Sequence, residues 1–502
     1  MTVSRRSLLG VLGTLPLTQL AWGQAAHRLT IIHLNDFHSR HDPVDPRSLS
    51  CGRDGSAPPG CFGGSPRLAA AIRAQRAAAE ADGRVVVLLD GGDQFQGSLF
   101  FTKYQGMAEL AVQRAVGTDA MAVGNHEFDS GPEVLGAYAR QAPFPLVSSN
   151  VDVTSEQTLA GLIRPYAVLE RAGLRLGLVG LTTLETLTGS SPGPRVRFLE
   201  PEPALARAVD SVRAEGVQLV VLLSHMGIGF DRVLKDAGPA VVIGGHSHTL
   251  LSNTEPGAFL PHPSPDAARG LVVQAGAYGR YLGRLDLDLA ADGTILQAGG
   301  DCVHVGLDVA PDPEVAAIVA GFREPLAAFA REVIATLPEK LDLAGCRLGP
   351  CRIGQLVAEA MLRATPGAQV AIMNAGGIRT GLPQGEVTRG QVLDALPFGN
   401  TVATLGLTGA DLEEALRHGL SQVGRGGFPQ WAGLRLEGAG FEVRKGDGWA
   451  PLDKAARYEV VTNNFLRGGG DGYVVFRDRA IDPYDSGPGL DEAFAEALGA
   501  GR

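Results

Sequence analysis

From Leu29 to about Asp288 one pattern recurs along the chain. A short, continuous apolar run, often β-branched, is followed by a stretch rich in Ala, Arg and Glu. The runs are Leu29–Leu34, Val85–Leu89, Ala120–Val123, Leu174–Leu181, Leu219–Leu223 and Val241–Ile243. Helical composition marks Arg67–Ala81, Glu202–Glu215 and Phe230–Asp236 between them. Runs that are apolar throughout, rather than alternating, are strands covered on both faces. Their alternation with helices predicts an α/β fold. Leu271–Gln274 and Tyr281–Leu289 read as closing strands, and Asp312–Ile334 as a helical connector. A second mixed region follows, with apolar runs at Val370–Met373, Thr401–Leu407 and Val460–Thr462 and helices over Gly354–Arg363 and Ala410–Ser421. At 502 residues the chain is too long for one ordinary core.

Chemistry enters at the ends of the N-terminal runs. The first is followed by Asn35-Asp36-Phe37-His38, the second by Asp90-Gly91-Gly92-Asp93, and the third by Gly124-Asn125-His126-Glu127-Phe128-Asp129. Ser224-His225 and Gly244-Gly245-His246-Ser247-His248 follow the last two. One histidine at a strand end is ordinarily structural. Five segments at the same end of their strands predict a shared crevice, because ligands bind beyond the carboxyl ends of an open α/β sheet. Carboxylate, imidazole and amide groups suit zinc, manganese or iron. There are too many ligands for one ion, so a carboxylate must bridge two. Asp93, central in chain order after a Gly-Gly turn, is the candidate. Asp90 reads as a loop-capping carboxylate and His33 as structural.

The net charge of -10 argues against a nucleic-acid polymer as partner. It leaves room for a small anion held by metal charge. Arg5-Arg6 precede an uncharged stretch, Ser7–Ala26, that is too rich in Gly, Pro and polar residues for a spanning helix. Residues 1–26 therefore read as a cleaved twin-arginine signal peptide, with a periplasmic or secreted product and no stable membrane anchor. Cys51 with Cys61 and Cys346 with Cys351 form two close pairs suited to disulfides in an oxidising compartment. A zinc site is the alternative for a Cys-x4-Cys pair. Cys302 reads as a buried thiol.

In order and spacing these motifs resemble the 5′-nucleotidase family of calcineurin-like metallophosphoesterases, closest to the ecto-5′-nucleotidase type. The resemblance implies a four-layer α/β/β/α sandwich over 27–308, a helical connector over 309–340 and a C-terminal α/β nucleotide-recognition domain over 341–502. It implies two divalent ions, one held by Asp36, His38, Asp93 and His248, the other by Asp93, Asn125, His225 and His246. His126 is implied to be catalytic, protonating the leaving oxygen, with Asp129 orienting its ring. The C-terminal segments Asn374-Ala375-Gly376-Gly377-Ile378-Arg379, Leu396-Pro397-Phe398-Gly399-Asn400 and Asn463–Gly472 also match. They imply a nucleotide substrate. Phe398 and Phe465 would stack on the base, and Asp471 would meet the ribose. Arg347 and Arg379 would reach the phosphate side, and Asn374 the base, with Gly376 and Gly377 allowing close approach. A hinge is expected around Leu337–Leu343. The implied reaction removes the 5′-phosphate of nucleoside monophosphates such as AMP. The alternatives are broader hydrolysis (UDP-sugars, 2′,3′-cyclic or 3′-nucleotides), a dimanganese sulfur-oxidation relative, and a non-catalytic nucleotide-binding protein.

Overall fold

The structure, a computed structural model, describes residues 25–45, 51, 60–255, 258, 270–438, 440–446, 448–485 and 487–500. The expected signal segment lies almost wholly outside them. Among the described residues, no helix is long and apolar enough to cross a membrane.

The N-terminal strands form two sheets. The first has seven strands in the order Ile295–His304, Tyr281–Leu289, His27–Leu34, Val85–Asp90, Ala120–Ala122, Leu146–Val147 and Ile163–Arg164. The second has five: Leu271–Val273, Val241–Gly244, Leu219–His225, Leu174–Thr182 and Tyr166–Arg171. Within each continuous apolar run the two faces do different jobs. Leu29, Ile31, Val87 and Leu89 of the first sheet meet Leu176, Leu178, Val221 and Leu223 of the second in one buried cluster. The intervening residues face helices. Ile32 and Leu88 pack on Leu68, Ile72, Val112 and Val319, while Val220 and Leu222 pack on Leu205, Val209 and Val212. Each fully buried aliphatic side chain contributes roughly 1.5–3 kcal/mol relative to exposure, so the sandwich has no face free to shift register. The result is the four-layer α/β/β/α arrangement.

At their carboxyl ends the two sheets are stitched together by polar bonds. Ser149 N donates to Gly180 O at 2.7 Å. Thr182 Oγ1 donates to Val123 O at 2.6 Å, and Asn150 Nδ2 to Thr182 O at 2.7 Å. A Cβ at Gly180 would run into the Val147 carbonyl. This seam fixes where loops from one sheet stand relative to loops from the other.

The helix Pro313–Phe329 packs on the N-terminal helices through Val315, Val319 and Leu326. It ends earlier than the apolar pattern suggests. Val333–Leu337 is a strand, antiparallel to Gly385–Thr388, and Leu341 bridges to Leu382. Part of the expected connector and the expected hinge around Leu337–Leu343 are therefore built into the C-terminal fold. The Ala-rich residues before Val333 favour helix, whereas the β-branched Val333, Ile334 and Thr336 suit a strand, and pairing with Gly385–Thr388 forms it. Phe329, at the junction, lies between Lys103 Nζ at 4.8 Å and Arg389 Cζ at 4.6 Å from its ring centre.

The C-terminal sheet runs Pro429–Ala432, Val370–Asn374, Arg457–Asn463, Val402–Thr408, Ile481–Tyr484. Helices Arg352–Ala364 and Leu490–Gly499 cover one face, and Gly409–Leu420 and Val474–Asp478 the other. Both expected cysteine pairs are disulfides, Cys51–Cys61 and Cys346–Cys351, which settles them against zinc. Cys302 is a buried free thiol, and burial pushes its pKa up.

The seam yields a prediction. Gly180→Ala forces the sheets apart at the end that carries the ligand loops, and should cost about 1–3 kcal/mol of apparent stability. Urea denaturation followed by fluorescence measures it; an unchanged midpoint would show that the seam yields without cost.

Candidate metal centre

Every segment singled out in the N-terminal half reaches one place. Asp36 follows His27–Leu34, Asp93 follows Val85–Asp90, and Asn125 and His126 follow Ala120–Ala122. His225 ends Leu219–His225, and His246 and His248 follow Val241–Gly244. These strands are parallel to one another within their sheets, so their carboxyl ends share one edge. The backbone turns sharply there. Asp36, His38, Asp93, His246 and His248 all have positive φ, between 50° and 71°. Non-glycine residues rarely adopt this conformation, and where it clusters it marks a functional site.

The side chains converge. Three overlapping groups, Asp36–His38–His248, His38–Asp93–His126 and Asp93–His225–His246, each place ligand atoms within 4.8 Å of one another. Several of these atoms point at common space rather than at partners. His225 Nδ1 donates to Gly91 O at 2.7 Å, which leaves Nε2 aimed inward. That Nε2 lies 2.9 Å from Asp93 Oδ2. His38 Nε2 faces His248 Nε2 at 3.1 Å. His246 Nε2 is held by the Glu185 carboxylate at 2.8 Å, so in the neutral ring Nδ1 carries the lone pair. That Nδ1 faces Asn125 Oδ1, a second acceptor, at 3.1 Å. Buried acceptors facing one another are what a cation between them requires, so this His/Asp/Asn set fits divalent metal.

The electrostatics agree. Burial opposes charge on His225, but Asp93 and then Asp36 outweigh it and push the ring up to about 10. Burial likewise opposes charge on His126, and Asp129 and Asp93 push it up to about 9. Burial would raise Asp93, but the His225 and His126 rings hold it well below the usual carboxylate range. Protons on imidazole thus balance the carboxylates wherever cations do not.

His126 sits at the edge of this cluster. Its Nδ1 is 2.6 Å from Asp129 Oδ2, its backbone N donates to Asp93 Oδ1 at 3.0 Å, and its Nε2 is buried without a partner. Asp90 is structural, accepting from Gly92 N at 3.0 Å, Gln94 Nε2 at 2.7 Å and Gln113 Nε2 at 3.0 Å. His33 is buried opposite Gly283.

Sequence reasoning missed three residues that build the site. Glu127 accepts from four backbone amides: Asp93 N at 3.0 Å, Gln94 N at 2.8 Å, Phe95 N at 3.2 Å and Gly124 N at 2.7 Å. Burial, aided by Asp93, pushes it up to about 7. Its place inside Gly124–Asp129 was the available signal. Asn35 donates to Asp36 Oδ2 at 2.6 Å and accepts from Ala275 N at 2.9 Å. Glu185 lies on a loop with no motif around it, and nothing local marks it.

The C-terminal residues assemble separately. Asn374 Nδ2 donates to Asp471 Oδ2 at 2.8 Å. Gly376 N donates to Gly426 O at 2.8 Å, and a Cβ on Gly377 would meet the Asn374 side chain. The Arg379 guanidinium lies 5.6 Å from the Phe398 ring centre. The Arg347 carbonyl accepts from Gly424 N at 2.7 Å, and Phe465 is 47% exposed. A cavity of about 510 Å³ opens at the metal cluster between the two halves. Its C-terminal wall is Gly399, Thr401, Asn464, Arg467, Pro483 and Asp485. None of Arg347, Asn374, Gly376, Gly377, Arg379, Phe398, Phe465 or Asp471 lines it.

Comparison with known proteins agrees with this layout. Residues 29–250 match the calcineurin-like phosphoesterase family model, and residues 333–478 match that of the 5′-nucleotidase C-terminal domain. The chain is 34% identical over 447 residues to a trifunctional nucleotide phosphoesterase of Bacillus subtilis, covering 78% of this chain but 30% of that longer protein. It is 32% identical over 517 residues to the 5′-nucleotidase of Homo sapiens, covering 94% of this chain and 88% of that one. The crystal structure of a 5′-nucleotidase precursor from Thermus thermophilus is 36% identical and superposes with a TM-score of 0.62, covering 94% of this chain and 96% of the other. Fold, cluster and relatives of this identity over nearly the whole length converge on one assignment: the chain belongs to the 5′-nucleotidase family of calcineurin-like metallophosphoesterases, and is a phosphoesterase hydrolase.

Proposed function

We propose that the chain removes the 5′-phosphate from nucleoside monophosphates, AMP-like ones first, using two divalent ions. The observation that carries this is the set of buried acceptors turned toward one another at the strand ends. One ion would be held by Asp36, His38, Asp93 and His248, and the other by Asp93, Asn125, His225 and His246. Bound there, two cations supply Lewis acidity toward a phosphoryl group and a nucleophile at neutral pH. The remaining work falls to the chain. Asp129 fixes the His126 ring through Nδ1, which leaves Nε2 to carry a proton to the leaving ribose oxygen. His225 and His246 are held in ligating orientation by Gly91 O and Glu185 respectively.

Nucleotide reading belongs, in this proposal, to the C-terminal half. Phe465 is an aromatic ring left 47% exposed beside a glycine-rich turn, which suits stacking on a base. Phe398 would take the other side. Asp471 would accept from ribose hydroxyls, Arg347 and Arg379 would meet the phosphate side, and Asn374, Gly376 and Gly377 would shape the floor. These residues stand apart from the metal cavity, so turnover needs the two halves to move. The junction after Phe329 is the natural pivot, since the helix before it packs on the N-terminal half and the strand after it pairs in the C-terminal half. The similarity to a trifunctional nucleotide phosphoesterase supports a second reading, in which nucleotide sugars or cyclic nucleotides are also substrates.

Phosphate release from AMP, UDP-glucose and 2′,3′-cyclic AMP, with and without a chelator, tests both readings. AMP hydrolysis abolished by the chelator is expected. A metal-loaded protein that binds AMP and releases no phosphate would leave a binding module instead. His126→Gln should lower kcat by about 10²–10⁴-fold while two ions remain bound, as read by metal analysis.

Metal affinity should depend on pH in a defined direction. His225 is raised from 6.5 to about 10 in the metal-free protein, so it keeps its proton through neutral pH. A cation must displace that proton, so affinity rises with pH until the ring deprotonates on its own near 10. Calorimetric titration with Mn²⁺ in buffers of different ionisation enthalpy should show net proton release; no release would contradict the assignment of His225 as a ligand.

Export by the twin-arginine route is part of the same proposal. It is supported by Arg5-Arg6 and by two disulfides, which persist in an oxidising compartment. Replacing Arg5 and Arg6 by Lys should keep the chain in the cytoplasm, as shown by fractionation; undiminished export would exclude the route.

A further inference from the structure

The strand Ile481–Tyr484 forms the edge of the C-terminal sheet and ends on a phenol that crosses to the other half of the molecule. The Tyr484 hydroxyl lies 3.3 Å from Asn125 Nδ2. The other end of that amide, Oδ1, faces His246 Nδ1 at 3.1 Å, and Glu185 holds the far side of the same ring at 2.8 Å. Tyr484, Asn125, His246 and Glu185 therefore form one file across the cluster. Its two ends come from different halves of the chain.

An asparagine amide has a donor end and an acceptor end that exchange on a half-turn about its last torsion. Only Oδ1 can face a cation. Once Oδ1 is committed, the two Nδ2 hydrogens need acceptors, and Asn125 is fully buried. The Tyr484 oxygen stands in position to accept one of them. A buried donor left unsatisfied disfavours the orientation that exposes it, so the phenol bears on which end of the amide looks inward.

We propose that Tyr484 is a positioning residue for the metal centre, lent by the C-terminal half, which holds the Asn125 amide with Oδ1 toward the ions. The proposal rests on the reading of Asn125 as a ligand. It makes the affinity of the ion at Asn125 depend on how the two halves sit. By reciprocity, the bound ion favours this seating by the same factor. Two further contacts join the halves nearby: Thr102 Oγ1 donates to Glu492 Oε1 at 2.6 Å, and Gly399 rests against the Arg40 guanidinium. Neither reaches a ligand as Tyr484 does.

The test uses the full chain stripped of metal and titrated with Mn²⁺ by calorimetry and electron paramagnetic resonance. Wild-type protein should bind two ions. Tyr484→Phe keeps the ring and its packing, and a cooperative melt of the metal-free variant shows that it is folded. One of its two sites should weaken by about 10–100-fold while the other is unchanged. The signal of the coupled ion pair should then be lost at Mn²⁺ concentrations that saturate the wild type. Unchanged affinity at both sites overturns the proposal. A wild-type protein that takes up no ion pair overturns instead the reading of the cluster on which it rests. A second measurement needs no variant: hydrogen exchange in Ile481–Tyr484 of the wild type should slow when Mn²⁺ is added, and unaltered exchange there also overturns the proposal.

Discussion

The site depends on one buried carboxylate. Glu127 gathers four backbone N–H groups, three from the turn that carries Asp93 and one from the turn that carries Asn125 and His126. Neither turn belongs to a helix or strand at that point, so neither can satisfy its own amides. A carboxylate that accepts from both fixes two loops with one side chain. It also allows them to approach so closely that a Cβ at Gly124 would strike Asp93 Oδ1. The positive φ values of Asp36, His38, Asp93, His246 and His248 are tolerated because such contacts hold the backbone there.

From that constraint the electrostatics follow. Packing Asp36, Asp93, Glu127 and several imidazoles together at the floor of the cavity is unfavourable unless the charges are matched. The Asp93, Asp36 and Asp129 carboxylates push His225 and His126 up despite burial, so each ring favours a positive charge beside it. In the proposed function, divalent ions would match the carboxylates with more charge per site and without a hydrogen to accommodate between facing acceptors.

The second half of the molecule brings a different economy of parts. The residues proposed to read the nucleotide do not line the metal cavity, and two of them, Asn374 and Asp471, are joined by a hydrogen bond. In the proposed function, recognition and chemistry are built on separate halves, and movement about the Phe329 junction would bring them together. In the present seating the C-terminal half closes the cavity with Gly399, Thr401 and Pro483 rather than with Phe398 or Phe465. Tyr484 then gives that half a direct contact with Asn125, a proposed ligand.

Much of this was legible in the chain. Continuous apolar runs specify buried strands, because only a strand covered on both faces has no use for polar residues. Residues placed just past those runs must emerge at one edge of a parallel sheet, so Asp36, Asp93, Asn125, His225 and His246 could be gathered by counting. What the sequence did not determine is whatever depends on which distant surfaces meet. Val333–Leu337 became a strand because Gly385–Thr388 lies beside it, against the helical trend of the residues before it. Glu185 reaches His246 because the strands that precede them, Leu174–Thr182 and Val241–Gly244, flank Leu219–His225 in the second sheet, and no spacing along the chain records that. Local physics fixes what an element is and which residues it offers. The packing of separate elements, which buries or pairs groups hundreds of residues apart, decides which of those residues face one another.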